Sequence, residues 1–236
     1  GESRLALPAL GGLFAEDQCP DLDRCLLTNR VVLTVMRQLR WAEIEGALTR
    51  VDYRNMGPEE LGSVYESLLE LVPVPDATIR TFTFLGLEDD ESTAGNKRKT
   101  TGSYYTPDDL VQELICSALD PVIESCLEKH SDSPEEALLN LSIIDPACGS
   151  GHFLLSAARR LAEALAPLRS PDGSVDDECY RVALRDVVSH CIYGVDRNSL
   201  ALELARTALW LEGFEPGRPL SFLKHHLVCG DALLGV

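Results

Sequence analysis

The sequence predicts an α/β fold in which a mainly helical N-terminal region precedes strands that alternate with helices. Three observations carry this. Short apolar runs ending in an acid, "LSIID", "CIYGVD" and "HHLVCGD", recur through the second half. Long stretches with helical spacing of apolar residues separate them. A polar stretch without periodicity, "EDDESTAGNKRKTTG", divides that half from the first. Strands alternating with helices indicate parallel βαβ units. The expected division is 1–100, mainly helical with a short strand and a polar linker, and 101–236, the α/β unit.

Taken in order, "DRCLLTNRVVLTVMRQLRWAE" spaces apolar residues helically from Cys25 to Trp41. "GPEELGSVYESLLELV" opens with Gly57-Pro58 and acids, and sets Leu61, Val64, Tyr65, Leu68 and Leu69 on one face, read as core packing. Thr78 to Phe84 alternates and is rich in β-branched and aromatic residues, which predicts a strand. After the linker, Thr106 is placed as N-cap, Pro107 as first helical residue and Asp109 as the capping-box partner. Pro121 is expected to kink or divide that helix. Then come strand "LSIID", helix "GHFLLSAARRLAEALA", helix "DDECYRVALRDVVSH", strand "CIYGVD", helix "NSLALELARTALWLEG" and strand "HHLVCGD".

Composition narrows the function classes. The chain has 236 residues, 45% hydrophobic and 25% charged, enough for a sizeable core. No apolar run reaches a membrane span, and "GESRLALPALGGLF" lacks the layout of a signal peptide. The net charge of -17 repels a phosphate backbone unless basic residues cluster, and the one basic run is "NKRK". Nucleic-acid contacts are therefore expected mostly elsewhere. Eight scattered cysteines form no C-x-x-C pair and read as reduced thiols of a cytoplasmic protein, with no metal site. His225 and His226 would point to opposite faces of a strand, which argues against joint ligation of a metal.

The segment "DPACGSGHF" carries the strongest chemical signal. A strand ends in Asp145-Pro146, and Ala147, Cys148, Gly149, Ser150 and Gly151 turn the chain into a helix. Glycine lets a ligand approach the main chain closely, and ligands of open α/β sheets sit at the carboxyl ends of strands. The alternative is a tight connection without a ligand. A phosphate-binding P-loop needs Lys where His152 stands, and a dinucleotide fingerprint needs a third glycine where Leu154 stands. A nucleophile elbow around Ser150 needs glycines at the positions of Cys148 and His152. Asp196 ends the second strand, where a carboxylate can accept from both hydroxyls of a ribose. Its plainer role is helix capping, which Asn198 or Ser199 can also fill. Asp231, after the third strand, reads on its own as a turn acid.

Together, "DPACGSG", "GVD" and "GDALL" at three successive strand ends resemble the S-adenosylmethionine site of class I methyltransferases. "GSYYTP" ahead of "DPACGSGHF" resembles the gamma class of DNA adenine-N6 methyltransferases. "RNMGPEELGSVYESLLEL" followed by "KRKTTGSYYTP" is similar to the combined restriction–modification (type IIG-like) methylases. The resemblance runs from about Val51 to the C-terminus; the first 50 or so residues are unplaced.

The resemblance implies the first three strands of a Rossmann-like methyltransferase sheet. It implies that Tyr105, Thr106 and Pro107 cover the methionine end of S-adenosyl-L-methionine, and that Asp145 to Gly151, with Phe153, lie beneath it. Asp196, with Arg197 beside it, would hold the ribose. Asp231 and Ala232 would contact the adenine, with Leu233 on its ring face. Cys148 is not expected to be a nucleophile. An insertion, "APLRSPDGSVDDECYRVALRDVVSH", adds a helix between loop and ribose acid. The family's Asn-Pro-Pro-aromatic motif, which holds the flipped adenine, does not occur in this sequence, so no catalytic residue is assigned. The chain is therefore expected to be a fragment, inactive alone, that reaches DNA through a further C-terminal part. The "LSIID" strand is expected at a sheet edge, inviting a homodimer. A stand-alone S-adenosylmethionine-binding regulatory module, a methyltransferase acting on RNA or protein glutamine and, more distantly, a dehydrogenase are the alternatives.

Overall fold

The computed structural model describes residues 20, 24–44, 46–53, 56–57, 60, 62, 64, 72–76, 78, 81–85, 106–170, 173–213 and 220–235. Among the described residues of the first half, two hairpins accompany the helical segments. Helix α1 (Asn29–Arg40) is capped by the Thr28 side chain, which accepts from the Val31 amide. The chain then leaves the helix at Trp41 for a hairpin of β1 (Trp41–Ile44) and β2 (Ala47–Arg50), antiparallel about Gly46 at φ 79°. Gly46 reaches positive φ without strain and lets the chain reverse there.

A second hairpin pairs β3 (Val72–Asp76) with β4 (Thr81–Leu85). The strand expected from Thr78 thus starts three residues later, and its partner carries Pro73 and Pro75. Being two apart, both prolines put the missing donor on the same edge of the ribbon, where it breaks no ladder. Of the predicted apolar face in "GPEELGSVYESLLELV", only Val64 lies among the described residues. It is 47% exposed, whereas Gly62 is buried. Residues two apart in a helix point to nearly opposite sides. Gly62 therefore faces the protein while Glu60 and Val64, both exposed, face away.

The second half follows the predicted alternation. Helix α2 (Asp108–Leu114) starts one residue later than expected, because Pro107 has an extended ψ of 142° and occupies the N-cap position without a side-chain cap. A π-helical turn (Ile115–Leu119) separates α2 from α3 (Asp120–Lys129), with Pro121 in the first turn of α3, so the helix is divided just before the proline. A short α4 (Pro134–Leu139) was not anticipated. Strand β5 (Ile143–Asp145), α5 (His152–Arg169), α6 (Asp177–His190), β6 (Ile192–Asp196), α7 (Ser199–Glu212) and β7 (Leu227–Cys229) complete the unit. His225 closes a 3-10 helix (Leu220–His225) instead of opening the last strand. His226 stacks on Tyr193 at 4.6 Å and bonds the Ile192 carbonyl at 2.9 Å, a packing role.

The three strands form one parallel sheet in the order β5-β6-β7, with Asp145 opposite Gly194 and Asp196 opposite Cys229. Helix α5 lies against this sheet and against α6. Its buried Leu154, Leu155, Leu161 and Leu165 meet Leu184 and Val187 of α6 and Leu202 and Leu209 of α7 in one core. This core fixes the sheet, so the three carboxyl ends, and the loops that leave them, lie side by side. No helix among the described residues is long and apolar enough to cross a membrane.

Candidate functional site

The loop after β5 is tied to the loop after β6 by main-chain and carboxylate bonds. Asp145 Oδ1 accepts from the Ala147 amide at 3.0 Å, bending the chain back on itself. The Cys148 amide donates to the Val195 carbonyl at 3.0 Å. The Gly149 amide donates to Asp196 Oδ2 at 2.8 Å, and Asp196 Oδ1 accepts from the Asn198 amide at 2.7 Å. One carboxylate thus anchors both loops. Asn198 itself caps α7, accepting from Leu200 and Ala201, which leaves Asp196 free of that duty.

Glycine is required at three positions for stated reasons. Gly149 has φ 53°, and no atom lies within 4 Å of where its Cβ would be, so the space beside this part of the loop is open. Gly151 has φ 89°, and a Cβ there would stand 2.9 Å from that of Ala205 on α7. Gly194, in the middle of β6, is a close-approach position: an added Cβ would meet Leu154 at 2.8 Å and the Cys148 sulfur at 2.9 Å. The glycine in "IYGVD" was a readable signal for this contact and was passed over.

Two carboxylates meet at neighbouring strand ends. Burial pushes the Asp145 carboxyl up from its ordinary value, and the charge on Asp196 adds to the shift. Burial, Asp145 and Asp196 push the Cys148 thiol up to about 12. A thiol so protonated is no nucleophile at neutral pH.

The segment ahead of α2 reaches the same place. His152, directly after the loop, lies 3.2 Å from Asp108 Oδ1 at the start of α2. Thr106 and Pro107 are thereby held near the loop; Tyr105 lies outside the described residues. Asp108 and His152 were missed in the sequence because neither forms part of a recurring pattern. The N-terminal half also arrives here. A Cβ added to the buried Gly62 would stand 2.7 Å from Ser150 Oγ, so a helical residue far upstream sits directly on the loop.

The remaining predicted residues divide. Phe153 is partly buried and packs against the core. Asp231 Oδ1 accepts from the Leu233 and Leu234 amides at 3.0 and 3.1 Å, so it does serve as a turn acid, and its other oxygen lies 3.7 Å from Arg197 Nε. Ala232 is exposed, and Leu233 is 96% exposed beside that turn. Among the described residues no cluster of His, Cys, Asp and Glu could hold a metal ion.

The chain is thus a mixed α/β protein with a glycine turn at the carboxyl ends of a parallel sheet, bridged by acids. The profile of the family described as N-6 DNA Methylase matches residues 91–219, more than half of the chain, and the chain belongs to that family. It is similar to RM.MjaORFECS2P of Methanocaldococcus jannaschii, which carries the name of a type II restriction enzyme and methyltransferase, with 24% identity over 270 residues. That match covers 95% of this chain and 21% of the relative. It is also similar to the adenine-specific methyltransferase PglX of Streptomyces coelicolor, 35% identical over 144 residues, covering 58% of this chain and 10% of that protein. The chain thus spans about a fifth or less of the length of these relatives. No solved structure matches it.

Proposed function

We propose that this chain supplies the S-adenosyl-L-methionine-binding part of a DNA adenine-N6 methyltransferase of a restriction–modification system. The observation that carries the reading is the Asp196 carboxylate, which ties the β5 loop to the β6 loop at adjoining strand ends. The sheet β5-β6-β7 would then be the first three strands of a Rossmann-like methyltransferase domain occupying 101–236.

The residues fit this cofactor. Each oxygen of Asp196 accepts one amide and keeps a further lone pair, enough for two ribose hydroxyls. The open space beside Gly149 admits a ligand against the main chain. Asp145 and Asp196 repel each other, and a ligand with a sulfonium and an ammonium group relieves that repulsion. The pyrophosphate of a dinucleotide would add to it. Thr106 and Pro107, held by the Asp108–His152 contact, would border the methionine end, with Tyr105 beside them. Ala147, Cys148, Ser150 and Gly151 would form the floor. Asp231, Ala232 and Leu233 would border the adenine.

When bound, the cofactor supplies an electrophilic methyl group to the exocyclic amine of adenine. The residues of this chain bind and orient; none is assigned a proton transfer. Effective transfer depends on holding the amine in line with the methyl group. The Asn-Pro-Pro-aromatic motif that would do so is not in this sequence, so no methylation of DNA by these residues alone is proposed.

Calorimetric titration of the chain with S-adenosylmethionine tests the reading. Binding near micromolar, about -8 kcal/mol, abolished in Asp196→Ala and not seen with NAD, is the expected result. Equal binding of NAD, or of S-adenosylmethionine by the Asp196→Ala variant, would overturn it.

A further inference from the structure

Among the described residues, the arginines differ in their partners. In the second half, Arg159, Arg160, Arg169, Arg181, Arg197 and Arg206 each have a carboxylate partner. In the first half, Arg30, Arg37 and Arg40 of α1 have no acidic partner among the described residues, and all three are exposed. Scarcity does not explain this, because the chain has 38 acidic residues against 21 basic ones. Helix α1 itself contains three arginines and no acid.

The three belong to a built surface. Arg30 and Arg37 rim a groove of about 760 Å³ between α1 and the β1–β2 hairpin, whose walls are Leu33, Trp41 and Leu48, with Thr34 and Gln38 beside them. The Arg40 guanidinium lies over the Trp41 ring, 5.8 Å from its centroid. The unit is tied at its base. The Tyr53 hydroxyl donates to the Leu39 carbonyl at 2.5 Å, and the Val51 amide to the Arg40 carbonyl at 2.9 Å. Like charges gathered on one short helix repel. An external anion removes that cost.

We infer that the groove between α1 and the first hairpin is a docking surface for the phosphate backbone of duplex DNA, read through Arg30, Arg37 and Arg40. Seven helical residues separate Arg30 from Arg37, a rise of about 10 Å. That is close to three steps between successive phosphates of one strand, at about 3.4 Å axial spacing each. Gln38 adds an uncharged hydrogen-bonding group of the kind that positions a backbone, while the Thr34 hydroxyl donates to the Arg30 carbonyl at 2.8 Å. The surface is independent of the S-adenosylmethionine reading. The three arginines lie on one helix, with Arg30 and Arg37 on the same face.

The test is fluorescence anisotropy of the whole chain with a labelled mixed-sequence duplex over a range of salt. The unsubstituted chain should bind at low salt and weaken as salt rises. Combined Arg30→Ala, Arg37→Ala and Arg40→Ala should weaken low-salt binding at least about tenfold and flatten the salt slope by about 2 to 3. Replacing all three with lysine should keep the slope, and Arg181→Ala should change nothing. Absence of salt-dependent binding would overturn the inference. So would an alanine variant that binds like the parent, a lysine variant that binds like the alanine one, or polyglutamate competing as well as duplex, which would mark a dock for acidic protein. Because S-adenosylmethionine titration is separate, failure here leaves the cofactor reading standing, and the reverse.

Discussion

Gly149 and Asp196, 47 residues apart, are joined by a 2.8 Å hydrogen bond from the glycine amide to the carboxylate. The same carboxylate holds the Asn198 amide from its other oxygen. This acid joins the two loops beside the main-chain bond from the Cys148 amide to the Val195 carbonyl.

Removing it should therefore cost stability before any ligand is added. Asp196→Ala deletes two charge-assisted bonds at a half-buried position and should lower unfolding free energy by about 2 kcal/mol. Urea denaturation measures this. Asp196→Asn should recover only part, because its amide nitrogen would face a second donor.

The Gly62–Ser150 approach predicts a rescue. Gly62→Ala forces a Cβ to 2.7 Å from the Ser150 hydroxyl and should cost about 1–3 kcal/mol. Ser150→Ala removes that oxygen, leaving only the Cβ at 3.5 Å, so the double variant should regain most of the loss. Thermal melts of the four proteins give the coupling. Additive effects would mean that the N-terminal half does not rest on the loop.

The acid pair predicts a pH dependence. With the carboxyl of Asp145 raised on folding, the folded protein holds a proton that the unfolded chain has lost. Its contribution to stability is then greatest at low pH and declines as pH rises from the ordinary carboxylate value through the raised one. Asp145→Asn keeps an acceptor for the Ala147 amide and cannot ionise. Its stability relative to the parent should climb through that window and level off above it, as read from urea midpoints at stepped pH.

Thiol reactivity should divide by burial. Cys25, Cys116 and Cys229 are exposed, whereas Cys148 is buried with its thiol pushed up to about 12 and Cys191 is buried with its thiol at about 11. Iodoacetamide at mildly alkaline pH should label the first three and spare the last two. Peptide mapping by mass spectrometry would show it, and rapid labelling of Cys148 would contradict the site described above.

The sheet edge predicts self-association. Strand β5 is at the end of the sheet order, and Ile144 on it is 66% exposed. An apolar edge of this kind favours pairing with a second copy. Light scattering should find dimer at high concentration, and Ile144→Lys should return it to monomer. A parent chain that stays monomeric would dispose of the idea.

Much of this protein was legible from residue order alone. The alternation of three strands with helices, the glycine turn after Asp145 and the capping role of Asn198 each rest on neighbours within a few residues. Local steric and hydrogen-bonding rules act at that range. The first half was read less well: the helical spacing from Cys25 to Trp41 carries no sign of the hairpin that follows about Gly46. Local pattern decided that the chain would turn tightly after Asp145. The tertiary structure decided what the turn is fastened to. That Asp196 anchors it and that Gly62 rests on Ser150 follow from tertiary packing, which joins residues that no local rule connects.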